Sequence, residues 1–243
     1  MGENPAAMAT RFTIPISLRK QDWAYQQLRQ WILAGTLEPG EQLSQERLAT
    51  ELGISRVPLR HALSRLASEG LVVDRPHQRW TVAEVSLNDA ADVYHGRAAL
   101  EAMLAEAAAR TVAEVSGDVS ALEEIEALLA EQRQAAAAGD RARVSVLDRR
   151  FHGAIYALAG MPASTVALEQ LRTKSDRYVA LYLADVDRVQ NSLAEHTAMM
   201  AALRSGDAAT FADLTRAHVL GGLEVLAHLL SGPAHSDRSR DQQ

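Results

Sequence analysis

From Leu87 onward the sequence is a succession of alanine-rich amphipathic segments that are separated by short breaks such as SGD, AGD and AGMP. Apolar residues that recur every three or four positions lie on one face of an α-helix, and that face must be buried against other helices. A glycine followed by an aspartate is typical of one helix ending and the next beginning. The spacing predicts six helices, at 88–111, 118–138, 140–159, 163–185, 188–205 and 207–231. Short connections between helices of this length predict an antiparallel bundle.

The first 85 residues follow a different pattern. Apolar residues at helical spacing predict a helix over 19–33, which the GTLEPG segment ends. Ser44 and Ser55 can each begin a further short helix, and the β-branched and aromatic segments LVV and WTVAEV predict a hairpin. Three helices followed by a hairpin is the order of a winged helix-turn-helix domain. We therefore expect a mainly α fold, in which a winged helix-turn-helix precedes an antiparallel six-helix bundle.

The domain organisation follows from these two patterns. We expect a flexible N-terminal arm over 1–18, the winged helix-turn-helix over 19–85, the helical domain over 86–231 and a disordered tail over 232–243. The chain contains no cysteine, which excludes disulfides and thiol chemistry. Its apolar runs are far shorter than the roughly 18 residues that a membrane span needs, and its N-terminus lacks the pattern of a signal peptide. We therefore expect a cytoplasmic protein with no membrane partner.

The net charge of −6 does not exclude a nucleic-acid partner, because the charge is unevenly distributed. The first 85 residues hold 10 basic and 9 acidic side chains, whereas the remainder holds 15 and 22. The acidic excess therefore belongs to the helical part of the chain. It says little about what the N-terminal part binds.

The predicted third helix carries two arginines at its N-terminal end. Arg56 and Arg60 are one turn apart, on the side opposite the apolar Leu59 and Leu63, and Ser55 lies at the same end. In a helix-turn-helix this end enters the major groove, where arginine binds guanine or a phosphate. A solvated basic surface is the alternative interpretation, and spacing alone does not decide between them.

Three histidines of the helical part suggest a metal site. Asp148 and His152 are four residues apart and share a helix face, and His196 and His218 lie on the last two predicted helices. One aspartate and three histidines from three helices suit Zn²⁺, Ni²⁺, Mn²⁺ or Fe²⁺. The alternative is that each histidine is an ordinary core or surface imidazole.

The segment LEPGEQLSQERLATELGISRVPLRHALSRLASEGLV resembles the N-terminal domain of the GntR family of bacterial transcription regulators. It has the PG turn, the LA..LG second helix, the SR.P.R start of the recognition helix and the AL..L...GL continuation. The resemblance implies binding to double-stranded DNA with a palindromic operator. The expected DNA contacts are Ser55, Arg56 and Arg60, with Arg47 as a weaker phosphate contact. At the wing tip, His77 and Arg79 are further candidates, although Arg79 stands where the family usually has glycine.

The helical part resembles the FCD ligand-binding domain of the FadR-type branch of that family. The residues that carry the resemblance are Asp148-Arg-Arg-Phe-His152, Glu195-His196, the ALRSGD segment at 202–207, and His218. Six helices rather than seven resemble the VanR-like subgroup. The resemblance implies one divalent metal ion per subunit, Zn, Ni, Mn or Fe, bound by Asp148, His152, His196 and His218. It also implies that Arg97 binds a small carboxylate effector beside the metal, with Tyr156 and Ser192 as further effector contacts.

These features together predict a homodimeric transcription regulator, expected to be a repressor, whose operator binding a small organic acid controls. A metal-dependent enzyme that uses the Asp/His₃ site is the first alternative. No sequence motif places a general base near those ligands, however, and the DNA-reading domain would have no role. A direct metal sensor, in which the ion itself is the signal, is the second alternative.

Overall fold

The computed structural model describes residues 19–74, 80–114, 120–182 and 186–231. The chain divides into two compact units, Met1–Val85 and Ser86–Gln243. The expected arm over 1–18, the tail over 232–243 and the wing residues His77 and Arg79 lie outside the described residues. Within the described ranges, no helix combines the length and the apolar character that crossing a membrane requires.

The first unit contains three helices and a small antiparallel sheet, as the sequence predicts. The helices are α1 (Lys20–Leu33), α2 (Gln45–Leu52) and α3 (Arg56–Ser68), and the strands are β1 (Gln42–Leu43), β2 (Val72–Val73) and β3 (Trp80–Val82). The strand order is β1-β3-β2, with Leu43 opposite Trp80 and Val73 opposite Thr81. The sequence analysis did not predict β1, because two residues are too few to show an alternating pattern.

Local signals fix the ends of α2 and the orientation of α3. The Ser44 hydroxyl accepts a hydrogen bond from the backbone N–H of Arg47 at 3.3 Å, and Gly53 ends α2 at φ +64°, a conformation that favours glycine. Leu59 and Leu63 of α3 are fully buried in the core of this unit. Their burial turns the opposite side of α3, with Arg56 and Arg60, toward solvent.

The second unit is the predicted helical bundle. Its helices are α4 (Leu87–Glu114), α5 (Ser120–Ala137), α6 (Arg141–Ala157), α7 (Pro162–Tyr182), α8 (Val186–Ser205) and α9 (Ala208–Ser231). These bounds differ from the predicted ones by at most three residues at either end, and α8 and α9 end where predicted. Helix α4 packs against α7 and α9, and α5 packs against α6 and α8. The mainly α fold is therefore confirmed.

The bundle core brings α6, α8 and α9 together at the level where the candidate metal ligands lie. Phe151, Ile155 and Phe211 are fully buried in it. The connection between α8 and α9 is tight, since a Cβ at Gly206 would lie 2.9 Å from the Cβ of Ala113, and its φ is +68°. Any side chain at this position would therefore strain the turn that leads into α9.

Candidate metal centre and DNA-recognition surface

Three histidines from three helices meet in the core of the second unit. His152 of α6, His196 of α8 and His218 of α9 each offer a ring nitrogen, and these atoms all lie within 4.8 Å of one another. Asp148, one turn before His152, places Oδ1 at 3.8 Å from Nε2 of His152 and at 3.6 Å from Nε2 of His196. The structure thus brings together the four side chains that the sequence analysis grouped.

The separations of 3.8 and 3.6 Å between Asp148 and the two histidines fit one shared ion. Metal–nitrogen and metal–oxygen bonds of about 2.0–2.2 Å place two ligands of the same ion about 3–4 Å apart. His152 and His196 are almost completely buried, and His218 is largely so. Three imidazoles and one carboxylate are a donor set that Zn²⁺, Ni²⁺, Mn²⁺ and Fe²⁺ accept. The residues present therefore fit a divalent ion.

Gln132 of α5 orients His196 and Asp148 together. Its amide nitrogen donates to Oδ1 of Asp148 at 3.2 Å, and its amide oxygen lies 3.0 Å from Nδ1 of His196. An amide oxygen only accepts hydrogen bonds, so Nδ1 of His196 carries the proton. The Nε2 atom of His196 then presents a lone pair toward Asp148.

Glu195 has the same effect on His218. One of its carboxylate oxygens lies 2.6 Å from Nδ1 of His218, and Arg188 donates to the carboxylate at 3.0 and 3.1 Å. Burial opposes the ionisation of Glu195, but the hydrogen bond from His218 and the charge of Arg188 outweigh it and lower the pKa of Glu195. The carboxylate accepts a hydrogen bond from Nδ1 of His218, so Nε2 is the ring nitrogen that remains for a metal ion.

Tyr156 completes the set through His152. Its hydroxyl donates to Oε2 of Glu101 at 2.7 Å and lies 3.3 Å from Nδ1 of His152. Since the one hydroxyl proton goes to Glu101, the oxygen accepts from Nδ1 of His152. Each of the three histidines therefore uses Nδ1 for an orienting partner and leaves Nε2 for a ligand.

The electrostatics keep the imidazoles of His152 and His196 neutral. Burial, followed by the charge of Arg172, lowers the pKa of His152 well below its ordinary value. Burial, followed by His218, lowers the pKa of His196 to about 3. For Asp148, burial acts to raise the pKa, but His196 and Arg172 outweigh it and lower the pKa. Neutral imidazoles and an ionised carboxylate are the forms that bind a metal ion.

A cavity opens beside these four side chains, and two of the three expected effector contacts line it. Arg97 and Ser192 lie in its wall, together with Asp148, Arg172, Arg188 and His218. The hydroxyl of Ser192 is 3.5 Å from Nε2 of His196. Tyr156, the third expected contact, is fully buried between His152 and Glu101 and is not among the described residues that line the cavity.

Arg97 lies at the cavity and is held in place by α4 and α7. Its Nε donates to Oε1 of Glu101 at 2.8 Å, and its Nη1 donates to the hydroxyl of Ser175 at 3.1 Å. Burial acts to raise the pKa of Glu101, but Arg97 and Arg172 together lower it to about 2. Arg97 and Glu101, four residues apart on α4, therefore form a buried ion pair.

Sequence reasoning missed several residues of this site. Gln132 and Arg172 gave no signal, because each reaches the site from a helix that carries none of the four grouped side chains. Glu195 was noted only as part of the Glu195-His196 motif, and its contact with His218 was not predicted.

The candidate DNA contacts lie together at the N-terminal end of α3. Ser55, Arg56 and Arg60 are all exposed, and the Ser55 hydroxyl makes no capping hydrogen bond. Arg56 lies 3.6 Å from Glu46 of α2, and both side chains are largely exposed. Arg47, the weaker candidate, is exposed and is bound to Glu41 at 2.7 Å. The exposed ion pairs are weak enough for phosphate to replace their carboxylates.

Comparison with known proteins identifies relatives for both units. The family model of the bacterial regulatory proteins of the gntR family matches residues 20–82, and that of the FCD domain matches residues 92–221. The HTH-type transcriptional repressor GlaR of Escherichia coli (strain K12) is 28% identical over 215 residues, which cover 86% of this chain and 96% of GlaR. The HTH-type transcriptional regulator McbR of the same organism is 33% identical over 144 residues, 59% of this chain and 63% of McbR.

Solved structures give the same result for the fold. The structure of E. coli McbR/YncC has a TM-score of 0.70 at 25% sequence identity and covers 88% of this chain and 100% of that one. A GntR regulator structure from Rhodococcus sp. RHA1, described as a putative transcriptional regulator, has a TM-score of 0.68 at 20% identity, with 86% and 98% covered.

Proposed function

Because the chain belongs to the GntR family of bacterial regulatory proteins and carries an FCD domain, we propose that a small organic acid, bound beside a metal centre, controls its binding to an operator. The family and the relatives named above are transcription regulators and not enzymes. The chain is therefore a regulator and not a metal-dependent enzyme. The observation that carries the proposal is the convergence of Asp148, His152, His196 and His218 beside a cavity with arginines in its wall.

For the DNA-binding half, the proposal assigns base and phosphate contacts to Ser55, Arg56 and Arg60, with Arg47 as an additional phosphate contact. Their exposure at one end of α3 supports this assignment.

We further propose a homodimer on a palindromic operator, because two copies related by a two-fold axis read two equal half-sites. Repression is favoured by the printed name of the relative GlaR, a transcriptional repressor. The described six helices α4–α9 favour the VanR-like subgroup, and a DNA-binding role favours the cytoplasm.

For the metal, the proposal assigns one divalent ion per subunit to Asp148, His152, His196 and His218. The orienting partners of the three Nδ1 atoms support this, because they leave the Nε2 atoms available for one shared ion. A bound divalent cation would supply a positive charge that attracts a carboxylate. Arg97 and Ser192 in the cavity wall are the proposed effector contacts, and Tyr156 contributes by orienting His152.

For the control of DNA binding, the acid must bind the DNA-competent and DNA-incompetent states with different affinities. The test uses purified Zn²⁺-loaded protein and labelled DNA that spans its own promoter and those of neighbouring genes. Fluorescence anisotropy is measured with and without each acid of a panel. If an organic acid controls DNA binding, at least one acid lowers the DNA affinity of the Zn²⁺-loaded protein. The same acid should leave the DNA affinity of metal-stripped protein unchanged. An affinity that responds to added Zn²⁺ alone would instead identify a direct metal sensor.

A further inference from the structure

Buried arginines line the cavity beside the candidate metal centre, and carboxylates pair with them. Three arginines from three helices, Arg97 of α4, Arg172 of α7 and Arg188 of α8, are at most 7% exposed and line it. Carboxylates that pair with them include Glu101, Glu195 and Asp148. Three positive and three negative side chains cancel, as do Arg149 and Asp176, which also line the cavity and lie 3.4 Å apart. A divalent cation added to this set leaves a net charge of about +2.

Arg172 is held only loosely by the carboxylates of the protein. Its Nη1 atom is 3.6 Å from Glu101 and its Nη2 atom is 3.8 Å from Asp148, longer than a hydrogen bond. Nη1 is buried and donates no hydrogen bond to any residue that the structure describes. Glu101 is already bound by Arg97 at 2.8 Å and by Tyr156 at 2.7 Å.

A buried guanidinium donor without an acceptor is costly, since buried polar groups are nearly always hydrogen-bonded. The carboxylates nearest to Arg172 are engaged elsewhere, and Asp148 would be engaged further by a metal ion. An anionic group in the cavity would supply the missing acceptor, because a planar guanidinium matches a carboxylate with two parallel hydrogen bonds.

The size of the cavity limits that ligand. The volume of the cavity is about 70 Å³. One water needs about 10–15 Å³ of such space, so the cavity has room for about five to seven small groups. This corresponds to an acid with a short carbon chain rather than to a nucleotide or a sugar phosphate.

From these observations we propose that the effector is a short dicarboxylate, with one carboxylate at the metal centre and the other at Arg172. This inference rests on the proposed function, because it specifies the class of acid that the same site binds. The two negative charges of a dicarboxylate match the net charge of about +2 at the site. Because the arginines lie on three helices, α4, α7 and α8, a ligand with two separated carboxylates fits them better than a compact dianion. Arg172 then sets specificity by distinguishing acids with a second carboxylate from those without one.

The test compares diacids with their monoamides, which have nearly the same shape and one negative charge less. Succinate and succinamate, and malonate and malonamate, are titrated into full-length Zn²⁺-loaded protein by calorimetry, with oxalate, glutarate and inorganic phosphate as further ligands. The expected result is that at least one diacid binds about tenfold or more tightly than its monoamide. Arg172→Gln should remove this difference by weakening the diacid alone, whereas Arg110→Gln, at an exposed arginine of α4, should leave it unchanged.

The melting temperature serves as a second readout. A diacid that bound Zn²⁺ in solution would strip the protein and lower its melting temperature, whereas binding to the folded protein raises it. If Arg172→Gln does not fold, the comparison of diacid with monoamide on the natural protein still decides the question.

The outcomes separate the two proposals. Monoamides or inorganic phosphate that bind as tightly as the tightest diacid would overturn the dicarboxylate assignment and leave control by an organic acid intact. Failure of every acid of the panel to bind would reject both.

Discussion

Gln132 accepts a hydrogen bond from Nδ1 of His196 at 3.0 Å. The same side chain donates to Asp148 at 3.2 Å, so a single residue of α5 sets the orientation of two proposed ligands. Hydrogen bonds of this kind fix the tautomer of a ligating histidine and raise its affinity for the metal. Gln132 is almost completely buried, which leaves the amide no water as an alternative partner.

Replacing Gln132 tests this orienting role. Gln132→Leu keeps the volume but removes both hydrogen bonds, and we expect it to weaken Zn²⁺ binding by about 10- to 100-fold. Competition with a coloured zinc chelator measures the affinity. Gln134→Leu, at an exposed position two residues further along α5, is the control and should bind like the natural protein. Equal affinities in all three proteins would remove the orienting role from Gln132.

The metal proposal predicts one divalent ion per subunit. Elemental analysis of protein purified without chelator or metal-affinity resin measures it directly. His196→Ala and His218→Ala should lose the metal and the rise in melting temperature that Zn²⁺ gives the natural protein, because the ion binds only the folded state well. His95→Ala, at an exposed histidine of α4, should retain both. Protein without metal, whose melting temperature does not respond to Zn²⁺, Ni²⁺ or Mn²⁺, would contradict the proposal.

The DNA-recognition surface predicts a loss of operator affinity in two variants. Arg56→Ala and Arg60→Ala should each weaken binding by about 1–3 kcal/mol where the arginine makes a bidentate base contact. Arg141→Ala, at an exposed arginine of α6, controls for the loss of one positive charge. Binding should also weaken as salt rises, because each phosphate contact releases counterions. Unchanged affinity in both α3 variants would show that another surface reads the operator.

The fold was largely predictable, and the site was predictable only in part, for one physical reason. Periodicity reports which residues share a helix face, so the helices and the Asp148–His152 pair follow from spacing alone. Which faces meet across helices depends on packing, so His196 and His218 were grouped through a family resemblance. Gln132 and Arg172 come from other helices with neither spacing nor motif, and only the folded chain shows them at the site. Strand β1 was not predicted because its two residues are too few to show an alternating pattern, and only the folded chain shows that Leu43 pairs with Trp80.

Arg97 requires a milder substitution than the usual alanine. If Arg97 binds the effector, Arg97→Ala should lose the response to a carboxylate and keep metal and DNA binding. It also removes the closest cation from the fully buried Glu101, however, and breaking such a pair costs about 3–5 kcal/mol. Arg97→Lys keeps the charge but cannot reproduce both guanidinium hydrogen bonds. We expect it to retain metal and DNA binding and to need a higher acid concentration for release from DNA.

Anisotropy titrations of the operator complex with acid compare Arg97→Lys with the natural protein. Arg110→Lys, at the exposed arginine of α4, is the matched control. Release of the Arg97→Lys protein at the same acid concentration as the natural protein would exclude Arg97 as an effector contact.

Glu101 predicts how the stability of the second unit depends on pH. Its pKa is about 2 in the folded protein, compared with an ordinary value of 4.5. A carboxyl whose pKa is lowered by folding stabilises the native state above the ordinary pKa, and this contribution is lost as pH falls from 4.5 toward 2. The difference in pKa corresponds to about 3 kcal/mol. Arg97 and Arg172 therefore become progressively less well paired in acid.

Glu101→Gln isolates this contribution, because glutamine keeps the shape and does not titrate. We expect the variant to be less stable than the natural protein at pH 7, and the gap in the free energy of unfolding to narrow as pH falls from 4.5 to 3. Urea unfolding in the presence of a chelator measures the gap without interference from metal loss. Glu124→Gln, at an exposed residue of α5, should show a small difference at every pH. A gap of the same size at pH 7 and pH 3 would mean that Glu101 stabilises the bundle through its shape and hydrogen bonds, and that its charge contributes nothing.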